Sequence, residues 1–282
     1  MKPEERFLQQ PKEFWAYVRT VSEGAGYTDR GTGQVRVPTV EETQAVLESL
    51  DLRDDELITD NSLTPLGAHL IDYFDHRARV LNTEVAGLLM DAAEAAAEFE
   101  QMKATLKPTC PLPMNKQKGE KRAHAFLTGI VNMQIEAHAQ GWSCDYDPRQ
   151  LTKVTRDGHP VRTLARRVDG AFPAVVNPIA VWELKEYYYT TTFGSRVAGG
   201  VYESLLDGLE LEELHQNAGI SVRHYLMVDG RYTWWKSGKS YLCRLIDILH
   251  MGYVDEILFG REVLSEMPRL VAEWVAAAEQ RS

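Results

Sequence analysis

Three prolines within six residues, Pro108, Pro111 and Pro113, divide this chain into two parts with different patterning. Upstream, residues 84–107 are rich in Ala and Glu, strong helix formers, and the stretch reads as one long helix. Proline lacks the backbone N–H and clashes with the preceding turn, so that helix ends at Pro108. A chain of 282 residues lies near the upper size of a single hydrophobic core, so it could be one large domain or a core with an appended module. The expectation is a helical domain over 1–108 and a second domain over 109–282.

The first domain carries clear helix starts. Pro11 stands where a helix over 12–22 begins, with Phe14, Trp15 and Val18 on one face. Thr39 and Glu42 form a capping box that opens a helix to residue 50. Thr64 caps a third helix whose first residue is Pro65 and which continues through Phe74. A short strand over 57–59 between such helices fits a winged helix-turn-helix that reads DNA; it fits equally a plain helical domain packed on the rest.

After the prolines the pattern alternates. A helix over 118–140 presents Phe126, Ile130, Met133 and Ala137 as one stripe and closes at Gly141. Strands over 151–155 and 163–169 flank the Asp157-Gly158 turn, and a third runs over 179–186. A helix over 198–214 and a strand over 222–228 follow; Asp229-Gly230 then reads as a hairpin turn into 231–235. Two helices, 240–251 and 253–278, finish the chain. This order gives an α/β (α+β) fold with a central mixed sheet flanked by helices, plus a C-terminal hairpin and helices.

Composition narrows the function classes. With 44% hydrophobic and 26% charged residues the chain is globular, and no run approaches the roughly 18 apolar residues of a membrane span. The charged start at Met1-Lys2-Pro3-Glu4 lacks a secretory apolar stretch, so the cytoplasm is the expected location. Cys110, Cys144 and Cys243 are odd in number and contain no CxxC pair, which argues against a disulfide framework or a cysteine zinc site. The net charge of −10 opposes a nucleic-acid ligand unless basic groups gather locally, as at Lys116, Lys118, Lys121 and Arg122 or at Arg162, Arg166 and Arg167.

The segment that carries chemistry is Arg166-Arg167-Val168-Asp169-Gly170 followed by Glu183-Leu184-Lys185. Alternate side chains of a strand share a face, so Glu183 and Lys185 project together while Trp182 and Leu184 point away. If the strand ending at Asp169 pairs with this one, two carboxylates converge. Such a pair repels unless a cation lies between, and hard oxygen donors with room for water suit Mg²⁺. The plainer alternative is a turn at Asp169-Gly170 and a cross-strand ion pair of little energetic value.

These residues and this order of elements resemble the PD-(D/E)xK nuclease superfamily, which includes type II restriction endonucleases, over roughly 116–230. The resemblance implies Asp169 and Glu183 as metal-binding acids, Lys185 as the catalytic lysine and the Leu184 carbonyl as a further metal ligand. Val168 stands where the family often has proline. It also implies Mg²⁺, with Mn²⁺ able to substitute, double-stranded DNA as substrate, and a homodimer with two symmetric sites. Some members add an acid on the preceding helix, a role for which Glu136, about 60° around from Met133, is the candidate. Tyr189, Thr191, Thr192, Ser195 and Arg196 in the loop after the strand, with Arg166 and Arg167, are candidate DNA contacts. Glu203 and Asp207, four apart on the next helix, could face the site, but two acids on a helix are more often solvated.

Other motifs fail. Ser237-Gly238-Lys239-Ser240 echoes a phosphate-binding loop, yet Thr233 stands where its first glycine is required, so no nucleotide cofactor is expected. His124 and His138 are not at zinc-helix spacing, and no GxSxG elbow occurs. The expected function is thus a Mg²⁺-dependent endonuclease for restriction or phage defence. The alternatives are a repair or structure-specific nuclease and a DNA-binding or interaction protein without activity.

Overall fold

The computed structural model describes residues 1–60, 62–117, 120–189 and 194–281, with the side chains of 116–122 outside the described set. The first unit holds α1 (Glu5–Leu8), α2 (Lys12–Ala25), α3 (Val40–Ser49), β1 (Ile58–Thr59), β2 (Ser62–Leu63) and α4 (Pro65–Arg79). A π-helical turn over Val80–Val85 and the short α5 (Ala86–Leu88) lead to α6 (Ala92–Leu106). Then come β3 (Met114–Gln117), β4 (Glu120–His124), α7 (Phe126–His138), β5 (Asp145–Tyr146), β6 (Lys153–Arg156), β7 (His159–Thr163), β8 (Gly170–Phe172) and β9 (Ala180–Glu186). The chain ends with α8 (Ser195–Ala218), β10 (Arg223–Asp229), a π-helical turn over Tyr232–Ser237, α9 (Lys239–His250), β11 (Glu256–Phe259) and α10 (Glu262–Arg281).

Five strands form one mixed sheet in the order β11-β10-β9-β8-β5. β9, β10 and β11 are parallel, whereas β8 runs antiparallel to β9 and β5 antiparallel to β8. Helices cover both faces, which is why the parallel strands are buried almost throughout. On one face Ala180, Trp182, Tyr225 and Met227 pack against α7 and α10, with Trp182 stacked on Trp274 at 5.4 Å. On the other, Leu226 and Val228 meet α8 and α9, and Val181 meets Leu211 and Leu214 of α8. The first unit has its own core of Phe7, Phe14, Trp15, Val18, Leu70 and Phe74.

The helix starts read from sequence are present: the Thr39–Glu42 capping box, and Thr64 accepting from the Gly67 amide with Pro65 behind it. The Asp157-Gly158 turn also forms, with both residues at positive φ as a tight hairpin needs. Its strands are β6 and β7, outside the main sheet, and the strand expected over 163–169 is irregular up to Gly170.

Four further expectations are corrected by tertiary contacts. The helix over 84–107 is broken at Leu89–Asp91. There the Met90 amide donates to Asp229 Oδ1 at 2.7 Å, Arg231 and Arg261 amides take the Met90 and Leu88 carbonyls, and Asp91 recaps α6. The helix over 118–140 starts only at Phe126; a β3–β4 ladder precedes it, with the Ala125 amide bonded to the Pro113 carbonyl at 2.9 Å. Residues 231–235 form no hairpin. Gly230, at φ +120, passes close to the Tyr187 backbone, and the chain turns helically so that Trp234 Nε1 donates to the Lys185 carbonyl at 3.2 Å. The helix over 253–278 contains β11, which pairs with β10 before Gly260 starts the turn into α10. Among the described residues no helix is long and apolar enough to cross a membrane.

Candidate functional site

Asp169 lies immediately before β8, not at the end of a strand, and its amide donates to the Trp182 carbonyl at 3.1 Å. That register sets Asp169 against Glu183: the same amide is 3.3 Å from Glu183 Oε1, and Asp169 Oδ2 accepts from the Leu184 amide at 2.7 Å. Gly170 makes this approach possible, since a Cβ there would lie on the Trp182 indole. Glu183 and Lys185 share the face beneath α8, as alternation requires, with Lys185 Nζ 2.8 Å from Glu183 Oε2. Gly200 of α8 leaves room for the lysine stem: an added Cβ would stand 3.2 Å from Lys185 Cδ.

Arg166 is turned inward, not toward solvent. Its guanidinium grips Glu183 at 2.9 and 3.0 Å, reaches Asp207 at 2.5 Å and stands 3.4 Å from Glu203. Lys185 Nζ is also 3.4 Å from Glu203. Glu203 and Asp207 therefore join the cluster from α8, one turn apart; their i, i+4 spacing was the signal available in the sequence. Asp207 is fully buried, and its Oδ1 has no hydrogen-bond partner among the described residues.

Four carboxylates meet two cations, and the proton affinities reflect it. Burial and then the Glu183 charge push Asp169 up to about 6. The same two causes raise Asp207 to about 7 despite Arg166. Burial works against ionisation of Glu183 too, but Lys185 and Arg166 outweigh it and hold this carboxyl below its usual value. Lys185 is raised in turn: burial opposes its charge, while Glu183 and Asp169 favour it.

The remaining candidates are dispersed. Glu136 is spent on Thr109, whose amide donates at 2.9 Å, and no contact among the described residues ties it to Asp169 or Glu183. Tyr189 is exposed beyond β9; Ser195 and Arg196 are exposed at the start of α8. Thr191 and Thr192 lie outside the described residues, as do Lys118 and the side chains of Lys116, Lys121 and Arg122. Arg167 is exposed beside Asp169 and lines a surface cavity there with Arg149, a residue that sequence reading missed because nothing local marks it. No group of three or more His, Cys, Asp or Glu side chains forms a ready metal cage among the described residues.

Fold and site together define a mixed α/β protein with a carboxylate–lysine cluster buried between its central strand and a covering helix. The chain belongs to the family described as Domain of unknown function (DUF7687), whose model matches residues 90–274. Residues 1–84 match a second one, Domain of unknown function (DUF7690), so the two matches meet close to the helix break at Leu89–Asp91. No curated protein and no solved structure matches the chain.

Proposed function

We propose that this chain is a Mg²⁺-dependent endonuclease of the PD-(D/E)xK type that hydrolyses phosphodiester bonds in double-stranded DNA. The observation that carries the reading is the convergence of Asp169, Glu183 and Lys185 at the middle of the sheet, linked through the 2.7 Å Leu184–Asp169 and 2.8 Å Lys185–Glu183 bonds. The element order supports it: α7, then β5, β8 and β9 of the main sheet, then α8 and β10, with the β6–β7 hairpin as an accessory outside the sheet, keep the helix, three strands, helix, strand order on which the resemblance rests.

Two converging carboxylates are hard oxygen donors of the kind Mg²⁺ takes, with waters and substrate oxygens as its other ligands. Asp169, Glu183 and the Leu184 carbonyl would hold it, and Mn²⁺ could replace it. When bound, the ion would polarise the phosphate and acidify a water. Lys185, kept charged by Glu183, would orient the attacking water and offset charge growing on the phosphate. Asp207 and Glu203 keep Arg166 in place against Glu183. A cytoplasmic restriction or phage-defence enzyme acting as a dimer is the role proposed; repair is the neighbouring one.

The bidentate grip of Arg166 on Glu183 favours one other reading, an ion network that only fastens α8 to the sheet. Incubation of supercoiled plasmids of varied sequence with and without Mg²⁺ separates the two. The nuclease reading expects metal-dependent cutting that Lys185→Ala lowers by roughly 10²-fold or more. Equal cutting by the variant, or none by the parent, refutes it.

A further inference from the structure

Two surface cavities meet at Asp169. One runs past Arg167 and Leu151, the other past Thr128, Asn132 and Pro113; Asp147, Arg149 and Asp169 line both. They make one furrow across Asp169, which is half-buried while Glu183 is fully buried, and Leu184 lines the second cavity beside it. Arg149 stands at the junction and Arg167 on one arm; among the described residues the other arm adds Thr128, Asn132 and Tyr146 with apolar Pro111, Pro113 and Ala125.

Among the described residues Arg149 has one ion pair, to Asp147 at 2.9 Å, with side chains 78% and 71% exposed. An exposed pair of this kind holds weakly, so the guanidinium can turn to a better anion at little cost. Arg167 makes no ion pair among the described residues. Arg166, its neighbour, is committed to Glu183 and Asp207 and is not available to a substrate. In a chain of net charge −10, the two forks offset the Asp147 and Asp169 carboxylates of the same lining, so the furrow is locally close to neutral.

We infer that the furrow is the track of the DNA strand to be cut, and that Arg149 and Arg167 hold two of its backbone phosphates beside Asp169. This rests on the nuclease reading and adds the place and polarity of the substrate contact. Phosphates are the ligand class because planar guanidinium forks match them, and because contacts away from base edges need only charge and shape. The two arginines act on binding and register, not on the reacting atoms.

The test is titration of a labelled DNA duplex by fluorescence anisotropy over a series of salt concentrations, with Ca²⁺ replacing Mg²⁺ to suppress cutting. Each phosphate contact releases counterions, so Arg149→Ala and Arg167→Ala should each weaken binding, equally for different sequences, and each lower the salt slope by about 1. Both residues are exposed, and unchanged circular dichroism would confirm that the variants fold. A slope equal to the parent's in either variant overturns the track. Plasmid cutting by the parent, measured alongside, separates the two levels: a parent that cuts while the slopes stay unchanged loses only the track, and a parent that neither binds nor cuts DNA loses both.

Discussion

Arg166 and Glu183 meet as a fork on a carboxylate, Nη1 to Oε1 at 2.9 Å and Nη2 to Oε2 at 3.0 Å, with the carboxylate wholly buried and the arginine side chain 24% exposed. The cation that stabilises the central acid thus comes from a loop before β8, not from the strand alone.

Removing it should expose the charge imbalance. Arg166→Ala leaves Glu183 with Lys185 and removes the cation that Asp207 contacts at 2.5 Å. Breaking a buried pair typically costs about 3–5 kcal/mol, and the partial exposure of Arg166 puts this case at or below the low end. Urea unfolding should show the loss, and millimolar Mg²⁺ should restore more stability to the variant than it adds to the parent. A variant as stable as the parent without metal would contradict this.

Gly170→Ala tests how Asp169 is delivered. The new Cβ would fall on the Trp182 indole, which is pinned between β8 and Trp274. Overpacking of this kind costs about 1–3 kcal/mol. Lower thermal stability and altered tryptophan fluorescence are expected; an unchanged melting temperature would mean that the sheet yields there freely.

Gly200→Ala tests the seat of the lysine. A methyl group on α8 would press on Tyr187 Oη at 2.8 Å and on the Lys185 stem at 3.2 Å. Alanine favours the helix, so the fold should survive, but displacement of the ammonium should slow any cleavage, by as much as roughly 10²-fold. Cleavage at the parent rate would show that the lysine position is not critical.

A pH dependence should arise far from the site. His76 of α4 and His250 of α9 are buried with their Nε2 atoms 3.2 Å apart. Around them stand Phe7, Tyr73 and Glu4, with Arg79 3.2 Å from His76 Nδ1 and with Arg6 and Asp247 acting from further off. Burial, then the charge of His250, lowers His76 to about 4, and burial lowers His250 as well. The unfolded chain therefore takes up protons first. The contribution is complete above the unfolded value of about 6.5 and is lost as pH falls toward about 4. Melting temperature should drop on going from about pH 7 to about pH 5, and His76→Gln should flatten the drop. Parallel curves for parent and variant would exclude the pair as its source.

What could be read from the sequence was what neighbouring residues decide among themselves. Thr39 and Glu42 cap α3 through bonds spanning three residues, and Asp157-Gly158 turns whatever strands flank it. Glu183 and Lys185 share a face because strand geometry alternates. For the same reason the Asp169, Glu183 and Lys185 cluster was legible once two strands were assumed to pair.

The misreadings lie where distant groups decide. Residues 256–259, EILF, fit a buried strand or a helix equally by pattern, and only the open edge of β10 selects the strand. The Ala-rich helix breaks at Leu89–Asp91 because Asp229 and Arg231, some 140 residues away, take its backbone groups. Arg166 was placed among DNA contacts, yet Asp207 and Glu203 on α8 draw it inward; Glu136 was placed at the metal, yet Thr109 claims it.

By itself, then, the sequence determined the caps, the turns and the shared face of Glu183 and Lys185, since these depend on geometry within a few residues. Tertiary structure alone decided which charges neutralise that face, because burial makes each carboxylate seek the nearest cation in space, whatever its place in the chain.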